Sequence, residues 1–134
     1  MAEFPDKVRL VFKDYPLAFH QGALPAAEAA RCAGEVGRFW EYHDLLFVAQ
    51  PAFSKSNLLS YAERVGLPAE PFAACLESNR HRDAVLSDLA EGRAAGVRGT
   101  PTFFVNGRRL TGAQPQALRK AVQDGLAEAA GKRP

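Results

Sequence analysis

The stretch from Thr102 to Leu110 constrains the fold of this chain more than any other. The run Thr102–Val105 is followed by Asn106-Gly107 and then by Arg108–Leu110. Asn-Gly readily takes the positive φ angles of a tight primed turn, so this pattern predicts a two-stranded antiparallel hairpin. Pro101 directly precedes it. Because proline cannot donate to a sheet ladder, it belongs at the first residue of a strand or on an edge.

The rest of the chain predicts one more strand and several helices. Val8–Phe12 is a short β-rich run that we expect to form a largely buried strand. Apolar spacing then predicts four or five helices, one of them capped by Ser56, and a last helix begins near Gln114-Pro115. The expected order is strand, helices, strand, strand, helix, which is an α/β fold.

Bulk properties set limits on function. At 134 residues the chain is about one domain long. A net charge of +2, with basic residues scattered among acidic ones, gives no reason to expect a nucleic-acid partner. No segment approaches the roughly 18 unbroken apolar residues of a membrane span, and the first residues do not form a signal peptide. The sequence therefore predicts a chain with neither a membrane span nor an export signal.

Cys32 and Cys75 are the two cysteines of the chain, and their separation excludes a local CxxC redox pair or a zinc-knuckle spacing. Both lie on apolar faces of predicted helices. One interpretation is two buried free thiols acting as small hydrophobic side chains. The other is a structural disulfide that ties two helices together. A catalytic role is the weakest interpretation, because neither cysteine lies at a helix N-terminus that would lower its pKa.

The three histidines predict no catalytic or metal site. His43 lies among aromatic residues on one helix face, which is typical of a packed, hydrogen-bonded core residue. His20 and His81 have no cysteine or aspartate beside them at metal-ligand spacing. We therefore expect no metal and no bound cofactor.

Five segments together resemble the DsbA-like thioredoxin-fold proteins, which are bacterial thiol-disulfide oxidoreductases. They are "VRLVFKDYPL", "ALPAAEAARCA", "GRFWEYHDLLF", "YAERVGLPAEPFAACL" and "GVRGTPTFFVNGRRLTGAQP". The resemblance covers essentially the whole chain. It implies a partial thioredoxin-like fold in a single domain, 1–134. Residues 1–16 and 97–130 would form the thioredoxin core, residues 17–96 a helical insertion, and residues 131–134 a tail.

The resemblance also assigns a role to Pro101. From the residues alone a trans bond is expected, because only about 5% of X-Pro bonds are cis. In the family the equivalent proline is cis and lies in the loop that faces the redox motif. The implied substrate-binding residues are Arg98, Gly99, Thr100 and Pro101. The backbone of Thr100 would pair with an extended substrate chain as an added strand does.

No catalytic residue of the family can be placed in this chain. The family's CxxC opens a helix after its first strand, and "EFPDKVRLVF" resembles the end of that helix and the following strand. We therefore expect an N-terminally truncated family member. The absent strand would lie between the equivalents of Val8–Phe12 and Thr102–Val105, so the flanking edges would expose apolar side chains unless a second copy or direct closure covers them.

These observations predict a portion of an oxidoreductase that acts on protein disulfides, redox-inactive as this chain. Protein or peptide thiols and disulfides are the implied substrates, and a homodimer would compensate for the absent strand. The parent family is extracytoplasmic, and the sequence itself assigns no compartment. One alternative is a non-catalytic peptide-binding or interaction module of the same fold. Another is a fragment of a glutathione-dependent thioredoxin-fold enzyme, whose serine would also lie in the absent segment.

Overall fold

The computed structural model describes residues 3–131, which form six helices and one two-stranded sheet. The bounds are α1 Ala23–Gly34, α2 Phe39–Ala49, α3 Lys55–Arg64, α4 Ala69–Ser78, α5 Arg82–Ala94, β1 Thr102–Val105, β2 Arg108–Thr111 and α6 Pro115–Gly131. Of the predicted tail, residues 132–134 lie outside the described residues. The chain divides into a helical unit, residues 13–92, and a sheet unit formed by residues up to 12 and from 93 onward.

The helical unit is built around α1. This helix contacts α2, α3 and α4. Four buried alanines spaced three or four residues apart let these neighbours approach closely: Ala26, Ala29, Ala30 and Ala33. Larger side chains complete the core, with Tyr42 and Leu58 fully buried. The Tyr42 hydroxyl donates to the Leu58 carbonyl at 2.9 Å, so its polar tip is satisfied within the core.

The start of α3 differs from the sequence prediction in its capping residue. Ser54, and not Ser56, caps α3: its hydroxyl accepts from the Asn57 amide at 3.2 Å. Ser56 instead lies inside the first turn, where its hydroxyl is 3.2 Å from that of Ser54. Both serines fit the preference for a small polar cap, and the preceding backbone geometry selects the earlier one.

The sheet unit contains the predicted hairpin. β1 and β2 pair antiparallel, with Phe103 opposite Leu110. Asn106 and Gly107 have φ angles of 49° and 86°, as a primed turn requires. Helix α6 packs against both strands. Its Gly125 lies so close to the turn that an added Cβ would be 3.1 Å from the side-chain Nδ2 atom of Asn106. The hairpin prediction is confirmed.

The strand predicted over Val8–Phe12 is wrong for this chain. Residues 8–17 belong to no strand or helix of the structure. Leu10 is 50% and Val11 55% exposed, whereas the prediction placed them largely inside. A strand exists only when its backbone groups pair with a neighbouring strand. Among the described residues, the sheet contains only β1 and β2.

No helix within residues 3–131 is both long and apolar enough to cross a membrane.

Candidate functional site

The loop between α5 and β1 carries the four residues that the sequence predicts to bind substrate. Arg98, Thr100 and Pro101 are exposed, and Gly99 is partly exposed. The Thr100–Pro101 peptide bond is cis. The loop therefore presents a continuous stretch of accessible chain immediately before the hairpin. We refer to residues 98–101 as the proline loop.

Two hydrogen bonds fix the proline loop to the hairpin, and a third fixes Gly96, two residues before the loop. The Thr102 hydroxyl donates to the Gly99 carbonyl at 2.7 Å, and the Gly112 amide donates to the Pro101 carbonyl at 2.9 Å. Arg109 of β2 donates to the carbonyl of Gly96 at 3.0 Å. Gly96 has a φ of 86°, a backbone conformation that favours glycine. The loop is thus held from both strands.

The backbone of Thr100 in this loop is open to a partner. Within residues 3–131, its amide and carbonyl form no backbone hydrogen bond. The residue is also exposed. An unpaired, accessible amide and carbonyl can accept an extended peptide, in the way that a sheet edge accepts an added strand. This geometry permits peptide docking and offers no nucleophile of its own.

The two cysteines form a disulfide within the helical unit. Cys32 of α1 and Cys75 of α4 have Cα atoms 6.0 Å apart and are joined through their sulfurs. Both residues are buried, at 5% and 3% exposure. The bond ties together two helices that also share the alanine-rich core. The interpretation of two free thiols is therefore wrong.

A charged cluster beside this disulfide was not predicted from the sequence. Glu35 Oε2 lies 3.3 Å from Cys75 Sγ, and it also contacts the Nε2 atom of His81. Arg80 binds both oxygens of the Glu35 carboxylate, at 2.5 and 2.9 Å. Hydrogen bonds from Arg80 and His81 lower the pKa of Glu35 to about 2. The carboxylate is thus ionised throughout the neutral range.

Beside this cluster lie three side chains whose ligand atoms could hold a metal ion. The sequence analysis expected no metal site at His81. The fold nonetheless gathers the ligand atoms of Cys32, Cys75 and His81 within 4.8 Å of one another. Cys75 and His81 are six residues apart, whereas Cys32 is brought to them by the packing of α1 against α4, which no local spacing indicates.

His43 is a packed residue of α2, as predicted. Its ring centroid lies 5.2 Å from that of Trp40 and 4.7 Å from that of Phe47. Its Nδ1 atom is 3.0 Å from a carboxylate oxygen of Asp44. The side chain is 19% exposed. These contacts account for the residue without a catalytic role.

Comparison with known proteins gives four further findings. A family model described as thioredoxin matches residues 3–124. A Na(+)/H(+) antiporter NhaA 3 of Salinispora tropica is 43% identical over 124 residues, which are 91% of this chain and 19% of the antiporter. A protein of Rickettsia prowazekii named as a protein-disulfide oxidoreductase is 28% identical over 127 residues, which are 90% of this chain and 46% of that protein. The crystal structure of a thioredoxin-like oxidoreductase from Silicibacter pomeroyi DSS-3 superposes with a TM-score of 0.76 at 26% identity, over 86% of this chain and 66% of that one.

The structural likeness confirms the thioredoxin-like fold inferred from the sequence. The chain spans about a fifth of the antiporter's length and less than half of the Rickettsia protein.

Proposed function

We propose that this chain, which belongs to the thioredoxin family, is one portion of a thiol-disulfide oxidoreductase that acts on protein disulfides. This portion would bind the client, which is the substrate protein. The observation that carries the proposal is the proline loop. Its exposed Thr100 offers an amide and a carbonyl with no backbone partner among residues 3–131. An extended client chain would pair there, and the side chains around the loop would contact its neighbouring residues.

The sulfur chemistry of such an enzyme would come from outside this chain. Disulfide exchange begins with attack by a thiolate on a disulfide sulfur. The two cysteines present are already joined to each other, and they lie 43 residues apart and not in a CxxC. By itself, the chain therefore has no thiolate to place opposite a docked client. A CxxC segment from the same gene product or from a second polypeptide would supply it.

The exposed segment before the helical unit supports the same proposal. Leu10 and Val11 are 50% and 55% exposed, and neither belongs to a strand. A strand that inserted beside them would bury these side chains. The occupant would be the family's first strand, carried together with CxxC. In its absence a second copy of this chain would cover the surface as a homodimer.

An insulin-reduction assay with dithiothreitol tests the absence of catalysis. The purified chain should give the rate of the uncatalysed control, because no thiolate is available at the proline loop. A titration of free thiols in the unreduced protein accompanies the assay and should find none. Turnover that is abolished by Cys32→Ser would contradict the proposal.

A binding measurement tests the docking surface. The probe is an extended peptide whose single cysteine is alkylated, so that pairing is detected without exchange. We expect amide shifts in NMR spectra at residues 98–100, which precede Pro101. Thr100→Pro removes the backbone N–H and should weaken binding at least tenfold, whereas Thr100→Ala keeps that N–H and should bind normally.

The hairpin amides of both variants must keep their wild-type shifts for this comparison to apply. If Thr100→Pro keeps the hairpin shifts and binds as tightly as Thr100→Ala, or if the peptide shifts residues elsewhere, the proline loop is not the docking site.

A second candidate function rests on the antiporter relatives. At 43% and 42% identity, two Salinispora antiporters resemble this chain more closely than the oxidoreductase does, and the matched region is 19% of each. The corresponding function is a non-catalytic interaction module attached to a transporter. The DNA upstream of codon 1 separates the two candidates. An in-frame strand and CxxC favour the oxidoreductase, whereas in-frame membrane spans favour the attached module.

A further inference from the structure

We propose that the reduced form of this chain binds a zinc ion through Cys32, Cys75, His81 and Glu35. The site lies entirely within the helical unit and does not depend on the proposed function. The first observation is the gathering of two sulfurs and an imidazole nitrogen, all within 4.8 Å of one another. Two thiolates and an imidazole are typical ligands of tetrahedral zinc.

Glu35 provides the fourth ligand. Its Oε2 atom lies 3.3 Å from Cys75 Sγ and contacts His81 Nε2. In the disulfide form, this oxygen and this nitrogen therefore face each other beside the sulfurs. A zinc ion would enter between them and replace their mutual contact with two coordinate bonds. Zinc binds such oxygen and nitrogen ligands at about 2.0–2.2 Å and thiolates at about 2.3 Å.

The geometry needs only a small change on reduction. In a tetrahedral site, two thiolates about 2.3 Å from the metal lie about 3.7 Å apart. Once the bond between Cys32 and Cys75 is broken, rotation of the two side chains can bring the sulfurs to that separation, while α1 and α4 remain packed through the core. The backbone positions of the ligands are already fixed by the two helices and by the short connection after α4.

The local charges also suit a metal. Two thiolates and one carboxylate around a divalent ion carry a net charge of −1. The Arg80 guanidinium, bound to Glu35 Oε1 at 2.5 Å, offsets that charge and orients the carboxylate. A hydrogen-bonding partner of this kind, which does not itself bind the metal, orients the ligand and strengthens metal binding. The side chains of His81 and Glu35 are 24% and 34% exposed, so the cluster is accessible to an ion from solvent.

The chemistry is a reduction followed by an exchange of protons for metal. A dithiol reductant gives two electrons and two protons to the Cys32–Cys75 disulfide; the S–S bond breaks, two thiols form, and the reductant becomes a disulfide. Zinc then displaces the two thiol protons and binds both thiolates. The helical unit is consequently tied between α1 and α4 in both states, by a covalent bond when oxidised and by the metal when reduced.

Zinc titration of the full chain tests the proposal. The protein is reduced with a water-soluble phosphine, which takes the oxygen of water as it reduces the disulfide and leaves no competing thiol. Free zinc is followed with a chromophoric chelator. We expect one zinc per reduced chain and none per oxidised chain. Cobalt in place of zinc should give a thiolate-to-metal charge-transfer band in the reduced protein only.

Matched histidine variants separate this site from loose binding by an unfolded chain. His81→Ala and Glu35→Gln should each weaken zinc binding by at least the roughly 10–100-fold that outer-sphere partners alone are worth. His20→Ala lies in the same unit outside the cluster and should bind as the wild type does. Equal affinities for His81→Ala and His20→Ala would overturn the proposal.

Circular dichroism covers the case in which reduction itself disturbs the fold. If the reduced chain loses helix, stoichiometric zinc should restore the helical signal, because metal binding and folding are linked. A reduced chain that remains helical and takes up no zinc contradicts the proposal. A reduced chain that unfolds and does not recover with zinc contradicts it as well.

Discussion

The helical unit and the sheet unit bury their side chains to very different extents. The helical unit contains a continuous buried core, with Tyr42, Leu58 and Phe72 at its centre and six further hydrophobic residues packed against it. Among the described residues of the sheet unit, only Ala121 and Gly125 are buried. A two-stranded hairpin with one helix buries little apolar surface. The helical unit therefore has a core of its own, whereas the described part of the sheet unit has almost none.

The charged residues show the same contrast. In the helical unit, Arg31 donates to Asp14 at 2.7 Å and to Asp88 at 2.8 Å, and both carboxylates are buried. In the sheet unit, Arg119 pairs with Glu3 at 2.6 and 2.8 Å, with both side chains about half exposed. Removing one partner of a buried ion pair lowers the free energy of unfolding much more than removing one partner of an exposed pair of similar geometry.

The largest effect is expected from the disulfide. Replacing Cys32 and Cys75 together by serine removes a crosslink that closes a loop of 43 residues. In the chain-entropy model this lowers the free energy of unfolding by about 4 kcal/mol. Urea unfolding followed by circular dichroism in metal-free buffer measures the change. A loss below about 1 kcal/mol would mean that the core alone holds α1 to α4.

The two arginine networks provide the next test. Arg31→Met removes the guanidinium that binds both buried carboxylates, leaves Asp88 only the Lys13 amine at 3.9 Å, and should lower the free energy of unfolding by about 3 kcal/mol. Arg119→Met is the matched variant in the sheet unit. It removes an exposed pair and should change stability little. Equal losses in the two variants would contradict the contrast drawn between the units.

Local signals predicted the elements that are stabilised by local interactions. The hairpin follows from Asn106-Gly107, a pair that readily takes the positive φ angles of a primed turn and does so here. The start of α6 follows from Pro115, which suits a first helical turn. The alanine-rich α1 has high intrinsic helix propensity.

Features that depend on distant partners were predicted poorly. Val8–Phe12 has the composition of a strand, but a strand also needs a neighbour, and composition carries no information about one. The cluster of Glu35 and His81 beside the disulfide arises because α1 and α4 pack together. The residues of the proline loop are contiguous, and they were named from the resemblance of that one stretch to the family. The charged cluster was missed because its residues are dispersed along the chain.

A smaller effect is expected at the hairpin turn. Gly107→Ala places a side chain on a residue with a φ of 86°, at a position where a Cβ would meet no other atom within 4 Å. The cost is therefore conformational alone, about 1 kcal/mol. Gly99→Ala is the matched control, because its Cβ also meets nothing and its φ is not positive. If both variants lose the same stability in urea, the turn does not determine the fold of the sheet unit.

The smallest effect is a pH dependence of the stability that Glu35 contributes. This contribution should decrease as the pH falls. Hydrogen bonds from Arg80 and His81 lower the pKa of this carboxyl from 4.5 to about 2 in the folded protein. The stabilisation is thus complete above pH 4.5 and disappears as the pH falls toward 2. Because the side chain is one-third exposed, solvent screening reduces its size.

The difference in unfolding free energy between the wild type and Glu35→Gln measures this contribution. It should be present at pH 5 and shrink as the pH falls toward 2. Asp14 cannot produce the same trend, because burial raises its pKa, so its contribution to stability increases as the pH falls. A difference that stays constant down to pH 3 would show that Arg80 and His81 do not hold the Glu35 carboxylate in solution as they do in the structure.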